Sequence, residues 1–333
     1  MTQKEKTRQI SFIQAINEAL RQELERDPNV IVMGEDIGGG GEREDFQDAW
    51  GGPMRLTKGL VNDFGRERIR DTPISETGFM GAGVGAAATG LRPVIDLMYV
   101  SFFGVCADQI LNNAAKMHYM FGGKVTVPMT IMTAIGAGTG NAAQHSETLY
   151  SIFTHFPGLK CVVPSNPYNA KGLMTAAIRD NDPVMFFHNR QLMGLRFEDH
   201  VPSEQYTVEI GKSEIKQEGD DITLIGIGYT TRVCMEAAQE LESQGISVEV
   251  LDLLSLSPMD NEAILSSVRK TRKVVIVDED YPRCSIAADI SALIAEEAFD
   301  YLDAPPKRVT PPHTSVPYSR SLEPLFVPDK NNV

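Results

Sequence analysis

Cysteine is scarce in this 333-residue sequence, and its four copies, Cys106, Cys161, Cys234 and Cys284, form no CxxC pair. Spaced so widely, they exclude a disulfide framework or a cysteine zinc site and read as isolated reduced thiols used for packing. Basic residues are in deficit: 31 Lys and Arg against 45 Asp and Glu leave a net charge of -14 with no sustained basic run. A phosphate backbone or an anionic lipid surface is an unfavourable partner for such a chain, so neither nucleic acid nor a membrane is expected. No apolar run approaches the roughly 20 residues of a membrane span, and the opening MTQKEKTRQISF lacks an apolar core of signal-peptide length. The expected location is the cytoplasm. Four familiar motifs are missing as well: a GxGxxG opening a helix after the first strand, GxxxxGKS/T, HExxH and GxSxG. Nicotinamide, nucleoside-triphosphate, zinc-protease and serine-hydrolase chemistry therefore find no support.

What remains is the composition of an ordinary globular protein, 42% hydrophobic and 23% charged, long enough for two cores. Short apolar runs at Val30–Met33, Pro93–Met98, Met129–Ala134, Cys161–Val163 and Val184–Phe187 read as buried strands. Helical stretches at Phe12–Glu25, Phe79–Thr89, Val105–Tyr119 and Ala170–Arg179 alternate with them, the pattern of a parallel sheet covered on both faces. The polar, proline-containing segment Arg196–Gln205 is the expected boundary, giving domains 1–195 and 196–333. After it the rhythm repeats: strands at Ile222–Ile227, Ser247–Leu251 and Lys273–Val277, helices at Arg232–Ser243, Asn261–Val268 and Ile286–Phe299. The fold class is α/β, two doubly wound domains in succession.

Three stretches could carry chemistry. Glu76 stands between Asp71-Thr72-Pro73-Ile74-Ser75 and the small-residue run Gly78–Ala88. Its carboxylate either complements a helix macrodipole or is an acid in a partly apolar crevice, able to share a proton with a ligand nitrogen. The glycine-rich Ile135–Gly140 leads through Gln144 to His145, an imidazole that is either a satisfied histidine or a group titrating near neutrality beside a ligand. Phe102-Phe103 follows a strand end, where open α/β sheets place ligands, and is either core or a face for a flat heteroaromatic ring. The remaining histidines show no ligand spacing, and no metal site is read from them.

Ordered segments over nearly the whole chain carry a resemblance: Gly34-Glu35-Asp36-Ile37, Asp71–Glu76, Gly90-Leu91-Arg92-Pro93, Asn113-Ala114-Ala115-Lys116, Gln144-His145-Ser146, Ala170-Lys171-Gly172-Leu173, Ala176–Asp180 and Pro311-Pro312-His313. The sequence resembles the beta subunits of the first components of pyruvate, branched-chain 2-oxo acid and acetoin dehydrogenase complexes. The resemblance implies a pyrimidine-binding domain followed by a transketolase C-terminal type domain, with thiamine diphosphate as cofactor. It makes Glu76 the acid at the cofactor's aminopyrimidine nitrogen, where a proton makes the exocyclic amine more acidic. Phe102 and Met98 become its neighbours, and His145 a proton-handling group in reductive acylation of a lipoyl arm. A structural potassium site is implied at Met129, Ala177, Ile178, Asp180 and Asp182. Gly219-Asp220-Asp221 lacks the GDG pattern that holds magnesium. The metal and the diphosphate half of the site therefore fall to an alpha subunit in an α2β2 assembly, with Gly81–Ala88 a candidate seam. A lipoyl-bearing acyltransferase would dock on the second domain. The segment Gly39–Thr57, with Asp48-Ala49-Trp50-Gly51-Gly52, and Asn166–Lys171 resemble acetoin dehydrogenase beta subunits more than pyruvate ones, so acetoin is the expected substrate. A pyruvate or branched-chain 2-oxo acid dehydrogenase subunit is the alternative, and a non-catalytic assembly subunit an alternative of another class. Ser101, Thr133, Glu147 and Phe187-His188 depart from the usual family pattern, and the chain ends at Val333, earlier than relatives with a further C-terminal helix.

Overall fold

A computed structural model of the protein describes residues 8–38 and 50–333. The stretch carrying most of the glycine run Gly38–Gly41, together with Asp48 and Ala49, lies outside the described residues. The first half runs α1 (Phe12–Arg26), β1 (Val30–Glu35), α2 (Leu60–Phe64), β2 (Ile69–Thr72), α3 (Glu76–Ala88), β3 (Arg92–Tyr99), α4 (Phe103–Asp108), α5 (Met117–Met120), β4 (Thr130–Ile135), α6 (Tyr150–Thr154), β5 (Lys160–Val162), α7 (Pro167–Arg179), β6 (Val184–Asn189) and α8 (Arg190–Met193). The second continues β7 (Glu214–Gln217), β8 (Ile222–Gly226), α9 (Tyr229–Ser243), β9 (Val248–Asp252), β10 (Ser255–Ser257), α10 (Asn261–Thr271), β11 (Val274–Val277), α11 (Ile286–Glu297) and β12 (Lys307–Val309).

Seven strands form the first sheet in the order β10-β5-β6-β4-β3-β1-β2, and five form the second in the order β12-β11-β8-β9-β7. Both are parallel except at one edge, where β10 runs against β5 and β7 against β9. Strand alternation divides the first sheet's side chains between two layers. Val30, Val32, Met132 and Phe186 join Phe12, Ile16 and Leu20 of α1 and Leu173 of α7 on one face. Ile31, Ile95, Ile131 and Phe187 join α3 and α6 on the other, in a cluster continuous with Ile225, Leu251, Ile276 and Ile290 of the second half. Each fully buried side chain of this size contributes about 1.5–3 kcal/mol, so the two halves are welded by a common apolar layer.

Local chemistry explains the element ends. Ser11 and Gln14 close a capping box on α1. Helix α3 ends where Gly90 takes φ +107° and the N–H groups of Gly90 and Leu91 reach back to the carbonyls of Ala87 and Ala86. A left-handed glycine just past the helix satisfies carbonyls that otherwise lack partners. Within α3 a Cβ at Gly83 would lie 2.8 Å from Ile95, so this glycine permits the helix to press onto β3, while nothing lies within 4 Å of one at Gly85. Lys171 of α7 is fully buried, and its ammonium reaches Glu18 of α1 and the carbonyls of Pro202, Ser203 and Glu204. The expected boundary segment is thus strapped to the first sheet's helices by one cation.

Several expectations need correction. The helix expected over Val105–Tyr119 is broken: a 3-10 turn at Val100–Phe102, α4 with Cys106 at non-helical φ -119°, a π-helical turn over Gln109–Ala114, then α5. Helix α3 begins at Glu76 rather than Phe79, which puts the acid in its first turn. Cys106, Cys161 and Cys234 are buried as packing thiols, but Cys284 is exposed. Among the described residues no helix is long and apolar enough to cross a membrane.

Candidate active site

Beyond β1 the chain passes to one side for β2 and returns on the other for β3, so the sheet's switch point lies between β1 and β3. Ligands of open parallel sheets sit at the carboxyl ends of the strands at such a point. Glu35 ends β1 there, and burial, then Asp36, then Glu76 push its carboxyl above the ordinary value. Glu76 is therefore within electrostatic reach of the strand end. Its other neighbour is Cys106, whose thiol is pushed up to about 12 by burial and by the Glu76 charge, and whose Sγ lies 3.9 Å from the Phe102 carbonyl. Thr77 fixes the same junction by donating to the Val105 carbonyl at 2.6 Å.

The end of β3 is irregular. The Asp96 carboxyl accepts from the Met98 N–H at 2.9 Å, Met98 takes φ +66°, and pairing with β4 slips between Asp96 and Met98. Such a bulge re-aims the side chains beyond it. Left-handed backbone at a non-glycine residue costs of order 1–3 kcal/mol and concentrates at functional sites. Burial pushes the Asp96 carboxyl up to about 6. After the bulge, Tyr99 meets Phe102 edge-on at 5.6 Å.

The glycine loop brings in the third ring. Gly136 and Gly138 take φ +96° and +95°, and a Cβ at either would fall within 2.6 Å of Asn189 or Gln191. The loop folds back as Gly136 donates to the Glu147 carbonyl, and it places the His145 ring 4.6 Å from Tyr99 and 5.5 Å from Phe102. From the end of β6, Arg190 lays its guanidinium 5.6 Å from the Tyr99 ring and donates to its hydroxyl at 3.2 Å. The structure so joins Phe102 and His145 around Tyr99, with Met98 next to it in the chain, and brings Glu76 within electrostatic reach of Cys106, whose thiol meets the Phe102 carbonyl. Sequence reasoning missed Tyr99 and Arg190. Tyr99 stands at the end of β3, three residues before Phe102, where the strand-end rule could have found it.

Around the loop and the strand ends several polar groups are buried. The Ser101, Thr133 and Ser146 hydroxyls and both ring nitrogens of His188 are buried without a hydrogen-bond partner. Burial and Arg190 lower the His188 imidazole to about 3, so it is uncharged. Residues expected around potassium are engaged otherwise. Arg92 donates to the Ile178 and Asp180 carbonyls, Val184 to the Met129 carbonyl, and Asp180 N–H to the Ala177 carbonyl. Lys160 pairs with the carboxylates of Asp180 and Asp182. Two protein cations, Arg92 and Lys160, thus stand in this cluster. Gly219-Asp220-Asp221 forms a turn against Ser247, and among the described residues no group of His, Cys, Asp and Glu is placed to hold a metal.

Residues 8–195 match the family of transketolase pyrimidine binding domains, and residues 211–333 that of transketolase C-terminal domains. The beta subunit of acetoin:2,6-dichlorophenolindophenol oxidoreductase from Bacillus subtilis (strain 168) is 52% identical over 328 residues, covering 98% of this chain and 95% of that protein. The 2-oxoisovalerate dehydrogenase beta subunit of the same organism is 40% identical over 324 residues, 96% of each chain. In three dimensions a split-gene transketolase, solved as an inactive beta4 tetramer, superposes with a TM-score of 0.77 at 21% identity, covering 98% of this chain and 96% of that one.

Proposed function

This chain belongs to the transketolase-type, thiamine-diphosphate-dependent family of acetoin and 2-oxo acid dehydrogenase beta subunits, and we propose that it is the beta subunit of an acetoin dehydrogenase. The observation that carries the choice of substrate is the 52% identity with the acetoin relative against 40% with the 2-oxoisovalerate relative, each over nearly the whole chain. A 2-oxo acid substrate is the second reading, favoured by that 40% relationship.

The donor set fits one half of thiamine diphosphate. Bound there, the cofactor supplies the electron sink on which the substrate's carbon–carbon bond is cleaved. Glu76 holds a proton at the pyrimidine ring nitrogen, from the first turn of α3. Phe102 and Met98 flank the ring and keep water from it. His145, its ring oriented by Tyr99 and Phe102, passes protons at the substrate oxygen and to the lipoyl sulfur released as the disulfide opens, the other sulfur taking the acyl unit. An alpha subunit supplies the magnesium and the diphosphate contacts. One observation favours such a partner, an exposed apolar rim beside Glu76, where Ile74 is 77% and Val105 61% exposed. The exposed Ala82 and Gly85 of α3 lie on the same seam, and a lipoyl-bearing acyltransferase docks on the second domain.

Dye reduction by the chain co-purified with an alpha subunit tests this reading, using acetoin, pyruvate and branched-chain 2-oxo acids in turn, with thiamine diphosphate and magnesium present or omitted. Cofactor-dependent turnover of acetoin by the pair, absent from the chain alone, is the expected result. Preference for a 2-oxo acid would move the assignment to the sister enzymes. A pair that binds the cofactor and turns over none of these would favour an assembly role.

A further inference from the structure

The glycine loop that carries His145 is held from the far end of the chain. After β12, residues 310–333 contain no strand or α-helix, only a 3-10 turn at Glu323–Leu325. Val316 and Phe326 of this tail are buried against Ala137 of the loop. Between them the Glu323 side chain, in a residue only 4% exposed, turns into the loop. Its Oε1 accepts from the Gly138 N–H at 2.7 Å and the Gly140 N–H at 3.1 Å, and its Oε2 from the Gly140 N–H at 3.0 Å. Gly138 at φ +95° and Gly140 at φ +74° turn these amides toward one point, a small nest of partial positive charge filled by one carboxylate. His145 lies five residues beyond Gly140, in a loop closed by the bond from Gly136 to Glu147.

We propose that Glu323 is a positioning residue for His145: its carboxylate pins the Gly138–Gly140 backbone, and the pinned loop sets the imidazole against Tyr99 and Phe102. This rests on the reading of His145 as the proton-handling group. A charged acceptor binds amide donors more strongly than a neutral one, so the carboxylate, and not merely the tail's apolar contacts, sets the rigidity of the loop. The second domain thereby acts on the chemistry at the first sheet without touching substrate.

The test uses the full chain paired with its alpha subunit and compares Glu323→Gln, Glu323→Ala and, as a control in the same turn, Leu325→Ala, whose side chain is exposed. Hydrogen–deuterium exchange over residues 136–147 reads the loop, and steady-state kinetics across pH read the imidazole. In Glu323→Ala, exchange at residues 138–140 should quicken about tenfold. The kcat should fall about tenfold with little change in KM, and the pH limb that His145→Asn abolishes should move. Glu323→Gln should lie between, and Leu325→Ala should match the parent. Loop exchange unchanged in Glu323→Ala would overturn the latch whatever turnover does, as would an equal loss in Leu325→Ala. Turnover unharmed by His145→Asn would overturn the underlying reading of His145 instead, while exchange would still decide whether the loop is latched.

Discussion

The imidazole of His145 stands edge-on to the ring of Tyr99, with centroids 4.6 Å apart and planes at 87°. Edge-to-face pairs of this kind contribute about 0.5–1.5 kcal/mol and fix orientation. Arg190 braces Tyr99 in turn through its hydroxyl and ring. Tyr99→Ala should therefore lower kcat about 10- to 100-fold by releasing the imidazole. Tyr99→Phe keeps the ring and should cost about 1 kcal/mol or less in stability, with turnover near that of the parent. Steady-state kinetics and urea unfolding of the two variants check both expectations.

Lys171→Met leaves three carbonyls of the 202–204 segment without their cation and Glu18 paired with Arg8 alone. Removing one partner of a buried charged network costs about 3–5 kcal/mol. The expected outcome is a matching drop in unfolding free energy together with new proteolytic cleavage within residues 196–213. A variant as stable and as protease-resistant as the parent would show that the strap carries little of the stability.

The seam between the sheets holds Asp278, Glu279 and Asp280, all raised above ordinary carboxylate values, by burial first and then, for Glu279 and Asp280, by the Asp278 charge. Glu279, which accepts from Asn189, is pushed from 4.5 up to about 8. It binds its proton more tightly folded than unfolded. Its contribution to stability is thus complete below pH 4.5 and is lost as pH rises through about 8. Glu279→Gln should raise the unfolding temperature at pH 8.5 by roughly 3 °C or more. At pH 5 the gap should close or reverse, which thermal scans across pH will show.

Thiol chemistry separates the cysteines. Burial pushes the Cys106 thiol up to about 12 and those of Cys161 and Cys234 higher still, while Cys284 is exposed. Because the thiolate is the reacting form, the folded chain should titrate one of its four thiols with Ellman's reagent, and Cys284→Ser none. Reaction of a second thiol before unfolding would contradict this packing.

Much of the fold was legible because its strands are buried on both faces and read as unbroken apolar runs, as in Ile131-Met132 or Phe186-Phe187. Strand β2 escaped, since only Ile69 of its four residues is buried. So did β10, which lies in the second half of the chain yet pairs with β5 of the first sheet, a distant pairing no local pattern records. Within the candidate site, Glu76, Phe102 and His145 stood out in the sequence because each sits at an element boundary with a distinctive neighbourhood. Tyr99 was hidden by the bulge, which shifts the strand's alternation at Met98. Glu323 was hidden more completely: nothing near it in sequence announces that its partners are two glycine amides about 185 residues away.

The central claim, that this chain supplies the proton-holding half of a shared thiamine diphosphate site, is tested most directly by Glu76→Gln in the pair with its alpha subunit. Acetoin-dependent dye reduction should fall about 10²- to 10⁴-fold while the pair still assembles and melts as the parent does. Turnover within a factor of about two of the parent, at saturating thiamine diphosphate and magnesium, would contradict that role for Glu76 and, with it, the proposed division of the site between the subunits.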